Sequence, residues 1–484
     1  MNDPRHEVML DGDTLTLEGV AGISRDGLRV RLSPESRERN REAYQSKLKL
    51  MEGGVRVYGM NTGTGSLRSV EIPGELREEY QRRLLRACAF GAGEPVSDEI
   101  VRAMLTVRAN QLAVGGAGVH PELLDALVET LNEGSVPEVR EIGSLGTGDL
   151  TSLAEVGLAL LGERPFRDGR RRQSPITLGP RGGLMLMSSN AHAIGEAVLC
   201  LVDLRRLTRA SESAAAVSFE TARANVNALD ARVHKARHHP GQIDSAEHLR
   251  SLLEGYVPGY LRIQDSFAFR CLPQVGGLLR DALDHLGAVL NVEINSAPEN
   301  ALLVDGEALT TGNFHAAPLA TALDYVRNAI AQVAALSAAR LTELMDPNNT
   351  GLNPFLAEEP GPDSGLMVVE YTVNAAVGEL RLLASPAAAH SAVFISQGVE
   401  NHASFAALAV RQTSRAVRLL STVVAAELVA GIRAVRMRDK PPEGAGVGTV
   451  FDIAAGVLNS DTADRPMTED LDAATKLVLN EDLV

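Results

Sequence analysis

Tyr58 lies in VYGMNTGTGSL, a run of glycines and small polar residues that packs little apolar area. A phenol in such a loop can act as a general acid or base if its pKa is lowered. It can equally cap a turn. Arg270, in IQDSFAFRCLPQVGG, can hold a carboxylate through two parallel hydrogen bonds. It can also pair with Asp265 or another acid. Gly143-Ser144-Leu145-Gly146-Thr147-Gly148-Asp149-Leu150 is a small-residue loop entering a helix whose apolar positions continue through Leu153, Val156, Leu158 and Leu161. Asp149 is a candidate cap for that helix. By pattern alone the stretch is a glycine turn before a helix. His234, His238 and His239 in HKARHHPGQ include an i, i+4 pair of the kind that holds zinc. Pro240 and Gly241 follow at once and no carboxylate completes the set. The expectation is therefore a solvated loop leading into a helix from Asp244, and no metal. The basic run Arg167, Arg170, Arg171 and Arg172 has no interleaved aromatics and reads as solvated surface.

These residues need a scaffold. The chain has 484 residues, more than one hydrophobic core normally spans, so several domains or an extended helical architecture is required. Aromatics make up 4% and Trp is absent, while Ala and Leu dominate, a composition suited to long, closely packed helices. In 316–345, Leu319, Leu323, Val326, Ile330 and Val333 share one helical face, and Asp346-Pro347 stops the helix. Segments 97–113, 120–133, 277–293 and 400–433 read similarly, the last carrying Glu427 in its most apolar part. Strand-like alternation is confined to 7–10, 14–16 and 28–32. Glycines cluster at 59–65, 91–93, 115–118, 143–148 and 179–183 without a dinucleotide or P-loop signature. The expected fold is mainly α, with a loop-rich N-terminal domain over 1–200 and a helical bundle over 201–484.

The net charge of −15 argues against nucleic acid or an anionic membrane as partner. Cys88, Cys200 and Cys271 are scattered, which fits a reducing compartment. No basic start followed by an apolar run marks a leader, and no stretch of about 18 uncharged apolar residues marks a membrane span. A cytoplasmic location is expected.

The motifs YGMNTGTG, RANQLAVGGAGVHPELL, GSLGTGDLTSLAEVGLALLGE, QDSFAFRCLPQV, EINSAPEN, GNFHAAP, DPNNTGLNPFL and QGVENHAS occur in one order. Together they resemble the aromatic amino acid ammonia-lyase and aminomutase family, from about Leu10 to the C-terminus. The resemblance implies a homotetramer of mostly helical subunits with active sites shared between subunits. It also implies an electrophile, a methylidene-imidazolone made autocatalytically from an internal Ala-Ser-Gly. The glycine nitrogen attacks the alanine carbonyl and the serine loses water to give an alkene. By the same resemblance Tyr58 matches the catalytic loop tyrosine and Arg270 the carboxylate clamp. Gln264, Asn313, Phe314 and Glu400 match positions that line the pocket or hold the prosthetic group.

The departures from the family fall on the chemistry. The triad position reads Gly146-Thr147-Gly148, one residue short and without serine. Cyclised and dehydrated, it would give an ethylidene-imidazolone, more hindered and less electrophilic. The family's second tyrosine falls on Phe267, its Asn-Gly-Thr on Ser188-Ser189-Asn190, and two family histidines on Cys88 and Gly276. Asn190 could substitute only from a shifted backbone. These changes lead to the expectation of an enzyme on the ammonia-lyase fold that acts on an amino acid or related carboxylate. Tyr58 would abstract a proton, with elimination, isomerisation or cyclisation following, and no prosthetic group is expected. A hydrophobic or small substrate suits Phe267, Phe269 and Cys88 better than histidine does. Two alternatives stand beside it: a conventional ammonia-lyase or 2,3-aminomutase with a Thr147-derived group, and a non-catalytic homologue that binds an amino acid.

Overall fold

A computed structural model describes residues 7–258, 262–438, 440–479 and 483. Helices dominate, among them Asp98–Ala113, Pro121–Glu133, Leu272–Ile294 and Ala317–Leu344. Ser97 caps the first by accepting the Ile100 N–H. Asp346 caps the short helix Pro347–Thr350 that follows the last. The expected face of Leu319, Leu323, Val326, Ile330 and Val333 is buried. Strands form only two-stranded pairs among the described residues. Glu7–Leu10 runs parallel to Arg29–Leu32.

Two expectations fail for local reasons. Residues 14–16 are not a strand. The Asp11 carboxylate accepts the N–H groups of Asp13 (2.9 Å) and Thr14 (2.8 Å), and Thr16 caps the helix Leu17–Ala21. The segment from 400 does not start as a helix. Glu400–His402 pairs with Ala392–Ile395, Phe405 takes a left-handed φ of 56°, and the helix Ala406–Met437 begins only then.

Contacts divide the chain into two compact units. The first is Met1–Val202 with Leu286–Leu323 and Pro386–Arg411; the second is Asp203–His285 with Asp324–Ser385 and Gln412–Val484. Where the sequence reading divides the chain once, at 200/201, the chain returns to the first unit twice. Every boundary but one falls inside a long helix, Ala191–Thr221, Leu272–Ile294, Ala317–Leu344 or Ala406–Met437. The stretch Gly182–Thr221 is apolar enough to cross a bilayer by length and composition, yet 94% of its apolar window is buried inside the protein.

Candidate active site

The Tyr58 loop is tied down along its length. Asn61 accepts the Val57 N–H (2.9 Å), Gln81 donates to the Gly59 carbonyl (3.0 Å), and Tyr80 donates to Thr64 (3.3 Å). Gly59 has φ +69°, and a Cβ there would sit 2.2 Å from Leu184 Cδ2, so the motif needs glycine. The half-buried Tyr58 hydroxyl accepts the Gly65 N–H at 2.9 Å, and Ser396 Oγ accepts the Ser66 N–H at 2.9 Å. Glu400 stands near the same turn, its Oε1 3.8 Å from where a Gly65 Cβ would lie. Burial pushes the phenol pKa up, the Gly65 N–H pulls it down, the Glu400 charge raises it and Arg181 lowers it, for a net rise. The lowered pKa that a base reading calls for is therefore not built into the isolated chain.

The triad lies in the same unit and is gripped from three directions. The Gly148 N–H donates to Asn190 Oδ1 at 3.0 Å, and Asn190 Nδ2 donates to the Phe314 carbonyl at 2.5 Å. The Gly146 carbonyl accepts Ser404 Oγ at 2.7 Å and the Ala316 N–H at 3.3 Å. Gly146 and Gly148 both have left-handed φ, 78° and 109°. A Cβ on Gly146 would lie 2.1 Å from Ser404 Oγ and 2.7 Å from the Ala406 nitrogen. The family's alanine therefore has no room here, which accounts for glycine at the first triad position. Thr147 is half-buried, and its hydroxyl bonds to none of the described residues.

Asp149 differs from its expected role. It makes no side-chain bond to its own helix, Leu150–Leu160. Its Oδ2 accepts the Ala193 N–H (3.0 Å) in the first turn of the helix Ala191–Thr221 instead, and its Oδ1 accepts Ser144 Oγ. Burial raises its pKa above the ordinary carboxylate value. Ser188 accepts the Asn300 N–H at 3.3 Å rather than a bond from the triad. Asn313 is exposed and donates weakly to the Ala297 carbonyl at 3.4 Å. Cys88 ends the helix Arg77–Cys88, and burial raises its thiol pKa, so it is no ready thiolate.

The second unit carries Gln264, Phe267 and Arg270. Gln264 is exposed and Phe267 is 66% exposed. The Arg270 guanidinium lies 4.9 Å from the Phe267 ring centre. Asp265 does not pair with it, because Asp265 binds Arg262 at 3.2 Å and the Asn225 N–H at 2.6 Å. Arg270 has no carboxylate partner among the described residues. Phe269 is core, fully buried and edge-on to Phe219, and so does not line a pocket.

The remaining candidates are structural. His234 is buried, bonding the Ala228 carbonyl and Gln242 at 3.0 Å each, and the helix after it begins at Pro240 rather than Asp244. No cluster of three or more His, Cys, Asp or Glu among the described residues could hold a metal ion. Arg167, Arg170 and Arg172 pair with Asp98, Asp168 and Glu129, and Arg171 donates to the Glu163 carbonyl.

Sequence reasoning passed over Ser404, His315, His402 and Arg181, although the first three lie inside motifs it quoted. His315 Nε2 and His402 Nδ1 are 2.8 Å apart. Burial and the neighbouring ring both lower the His315 pKa. Arg181 is fully buried at φ +62°, with Nε and Nη1 lacking partners among the described residues.

Comparison with known proteins now fits this geometry. The family model for aromatic amino acid lyases matches residues 15–455. A histidine ammonia-lyase of Caldanaerobacter subterraneus is 34% identical over 490 residues, covering 98% of this chain and 96% of that protein. A histidine ammonia-lyase of Streptomyces coelicolor is 35% identical over 98% of this chain and 96% of its own length. Among solved structures, the tyrosine aminomutase of Streptomyces globisporus superposes with TM-score 0.93 at 27% identity, covering 98% and 97% of the two chains. The ergothionase of Treponema denticola superposes with TM-score 0.92 at 27% identity over 98% of each.

These matches correct the expectation that no prosthetic group is needed. The likeness to histidine ammonia-lyases runs over nearly the whole chain, and theirs is a family with an internal imidazolone. The residues present fit such a group. Gly148 supplies a nitrogen unencumbered by a side chain, the Gly146 carbonyl is held by two donors, and Thr147 carries a β-hydroxyl that can leave. Sequence, fold and site agree: the chain belongs to the aromatic amino acid lyase family and is an enzyme of its carbon–nitrogen lyase class.

Proposed function

We propose that the protein is an amino acid ammonia-lyase or 2,3-aminomutase whose electrophile derives from Gly146-Thr147-Gly148. The observation that carries this reading is the grip on the triad. Asn190, Ser404 and Ala316 hold the atoms that would join, in the unit that also holds Tyr58. The imidazolone, when formed, supplies an electron sink that makes ammonia a better leaving group and the β-hydrogen more acidic.

The chain's own residues do the rest. Arg270 anchors the substrate carboxylate, its guanidinium without an acidic partner among the described residues and oriented by stacking on Phe267. Phe267 presents an apolar surface where the family has a second phenol, so Tyr58 alone among the two positions can carry a proton. The phenol takes the substrate proton and passes it on, with the Gly65 N–H supporting the phenolate. Asn190, through its two hydrogen bonds, fixes the triad against the Phe314 carbonyl. By the family resemblance, Asn313, Ser188, Cys88 and Glu400 of the first unit and, separately, Gln264 of the second fall at positions used for substrate or prosthetic group. A hydrophobic or small amino acid suits Phe267 and Cys88. Large exposed apolar side chains, Phe90 at 88%, Phe394 at 81% and Leu382 at 74%, support assembly with further copies into the family's tetramer. Three cysteines, none of them in a disulfide among the described residues, support a cytoplasmic setting.

The test is intact mass with peptide mapping across 140–155, followed by an amino acid turnover screen with Tyr58→Phe as control. A chain two waters lighter, with turnover lost about 10²- to 10⁴-fold in Tyr58→Phe, is the expected result. An unmodified triad, or equal turnover in both forms, overturns the reading. Amino acid binding without turnover in either form indicates a binding protein.

A further inference from the structure

The Gly146 carbonyl is better served than a buried loop carbonyl requires. One donor satisfies such a group. Here Ser404 Oγ (2.7 Å) and the Ala316 N–H (3.3 Å) both aim at the same oxygen. Ser404 is held in that pose because its Oγ also accepts the Ala406 N–H at 3.2 Å, which directs the hydroxyl proton toward Gly146. The Phe405 N–H donates to the Leu145 carbonyl at 2.8 Å, fastening the same two segments once more. His402 and His315, close in sequence to the two donors, are joined by their own 2.8 Å hydrogen bond. Two donors converging on one carbonyl oxygen is the arrangement that stabilises negative charge when the carbonyl carbon is attacked.

We propose that Ser404 Oγ and the Ala316 N–H are the oxyanion donors for closure of the 146–148 triad, and that the His315–His402 bond positions both. The proposal rests on the electrophile reading above and deepens it. In the step, the Gly148 nitrogen forms a bond to the Gly146 carbonyl carbon. The carbonyl π pair moves onto oxygen, between the two donors, and the Gly148 amide proton is transferred to that oxygen. The oxygen departs as water with the Thr147 amide hydrogen, leaving a C=N bond. Thr147 then loses its α-hydrogen and β-hydroxyl as a second water, leaving an alkene. No oxidant enters. Ser404 contacts a reacting atom directly; His315 and His402 act through the segments they join and are positioning residues.

The experiment follows the mass of the 140–155 peptide at timed intervals after synthesis in the full chain, with thermal melting as a check on folding. The natural chain becomes two waters lighter. Ser404→Ala, folded, closes about 10²-fold more slowly, because one of two oxyanion donors is gone. Ser404→Thr, which keeps the hydroxyl, restores closure. His402→Ala slows closure by less, and His402→Gln recovers part of the loss. Closure in Ser404→Ala at the natural pace overturns this proposal and leaves the electrophile reading intact. A natural chain that retains both waters overturns the two together. Should Ser404→Ala fail to fold, a Ser404→Thr chain that folds yet closes no faster than His402→Ala also overturns it.

Discussion

Each unit buries an arginine–glutamate pair, and the two pairs are finished differently. In the second unit Arg340 grips Glu427 with two bonds, Nε to Oε1 at 2.6 Å and Nη2 to Oε2 at 2.8 Å. Ser218 adds a donor to Oε1 (2.8 Å) and Ser337 one to Oε2 (2.5 Å), so both carboxylate oxygens are doubly bonded. In the first unit Arg108 reaches Glu299 through a single bond of 3.0 Å and spends its remaining donors on the Met185 and Leu186 carbonyls and Gln111. Among the described residues Glu299 Oε2 has no partner, and neither do Nε and Nη1 of Arg181. The closed pair fastens helices of the second unit to one another. The open one lies within reach of the Tyr58 loop, since Arg181 feels both Glu299 and Tyr58. Buried polar capacity left unspent in this way is costly, and it marks the place where a field can still be tuned.

The contrast can be tested, beginning with its largest consequence. Glu427→Ala strands the Arg340 guanidinium with one weak bond, to the Ala268 carbonyl at 3.4 Å, and should cost about 3–5 kcal/mol in denaturant unfolding. Glu299→Gln should cost only about 1–3 kcal/mol, because Arg108 keeps three other acceptors. Equal losses would break the comparison. Gly146→Ala forces a methyl into Ser404 and should cost about 1–3 kcal/mol while delaying the mass change of the triad. A chain that matures at the natural pace with alanine there would show that the loop has room after all.

The smallest effect is a displacement along the pH axis. Burial favours the neutral Tyr58 phenol, so its base form accumulates only as pH rises, later than for an ordinary tyrosine at 10.0. Turnover expressed as kcat/KM should therefore climb through neutrality without levelling below pH 10.0. Glu299→Gln removes the countercharge that offsets Arg181, leaving more positive field at the phenol, and should move that limb to lower pH. A plateau near neutrality in the natural enzyme would mean that the assembled site supplies a cation which the single chain lacks.

Much of this was legible in the residues, and the rest has identifiable causes. The helices at 98–113, 121–133 and 317–344 follow from apolar spacing with capping residues at their starts or stops. The hairpin over 392–402 did not, because a local run rich in small residues is decided by a partner strand and by a left-handed residue at 405. Tyr58, Arg270 and the triad stood out through motif order. The grip by Ser404 and Ala316 did not, since no spacing rule links residues so far apart. Asp149 looked like the cap of its own helix, yet a neighbouring helix end competed for its carboxylate and won. Phe269 counted as a pocket residue only until packing against Phe219 put it in the core.

The bond from Ser404 to Gly146 spans 258 residues. On a ribosome adding 5–20 residues per second, the triad therefore waits roughly ten to fifty seconds before its clasp has even been made. A fragment ending after residue 148 but short of residue 404 holds all three triad residues and lacks the Ser404 clasp. On the closure proposed above, the electrophile is thus withheld until a segment 258 residues downstream of Gly146 has been made, and synthesis of that segment serves as its licence.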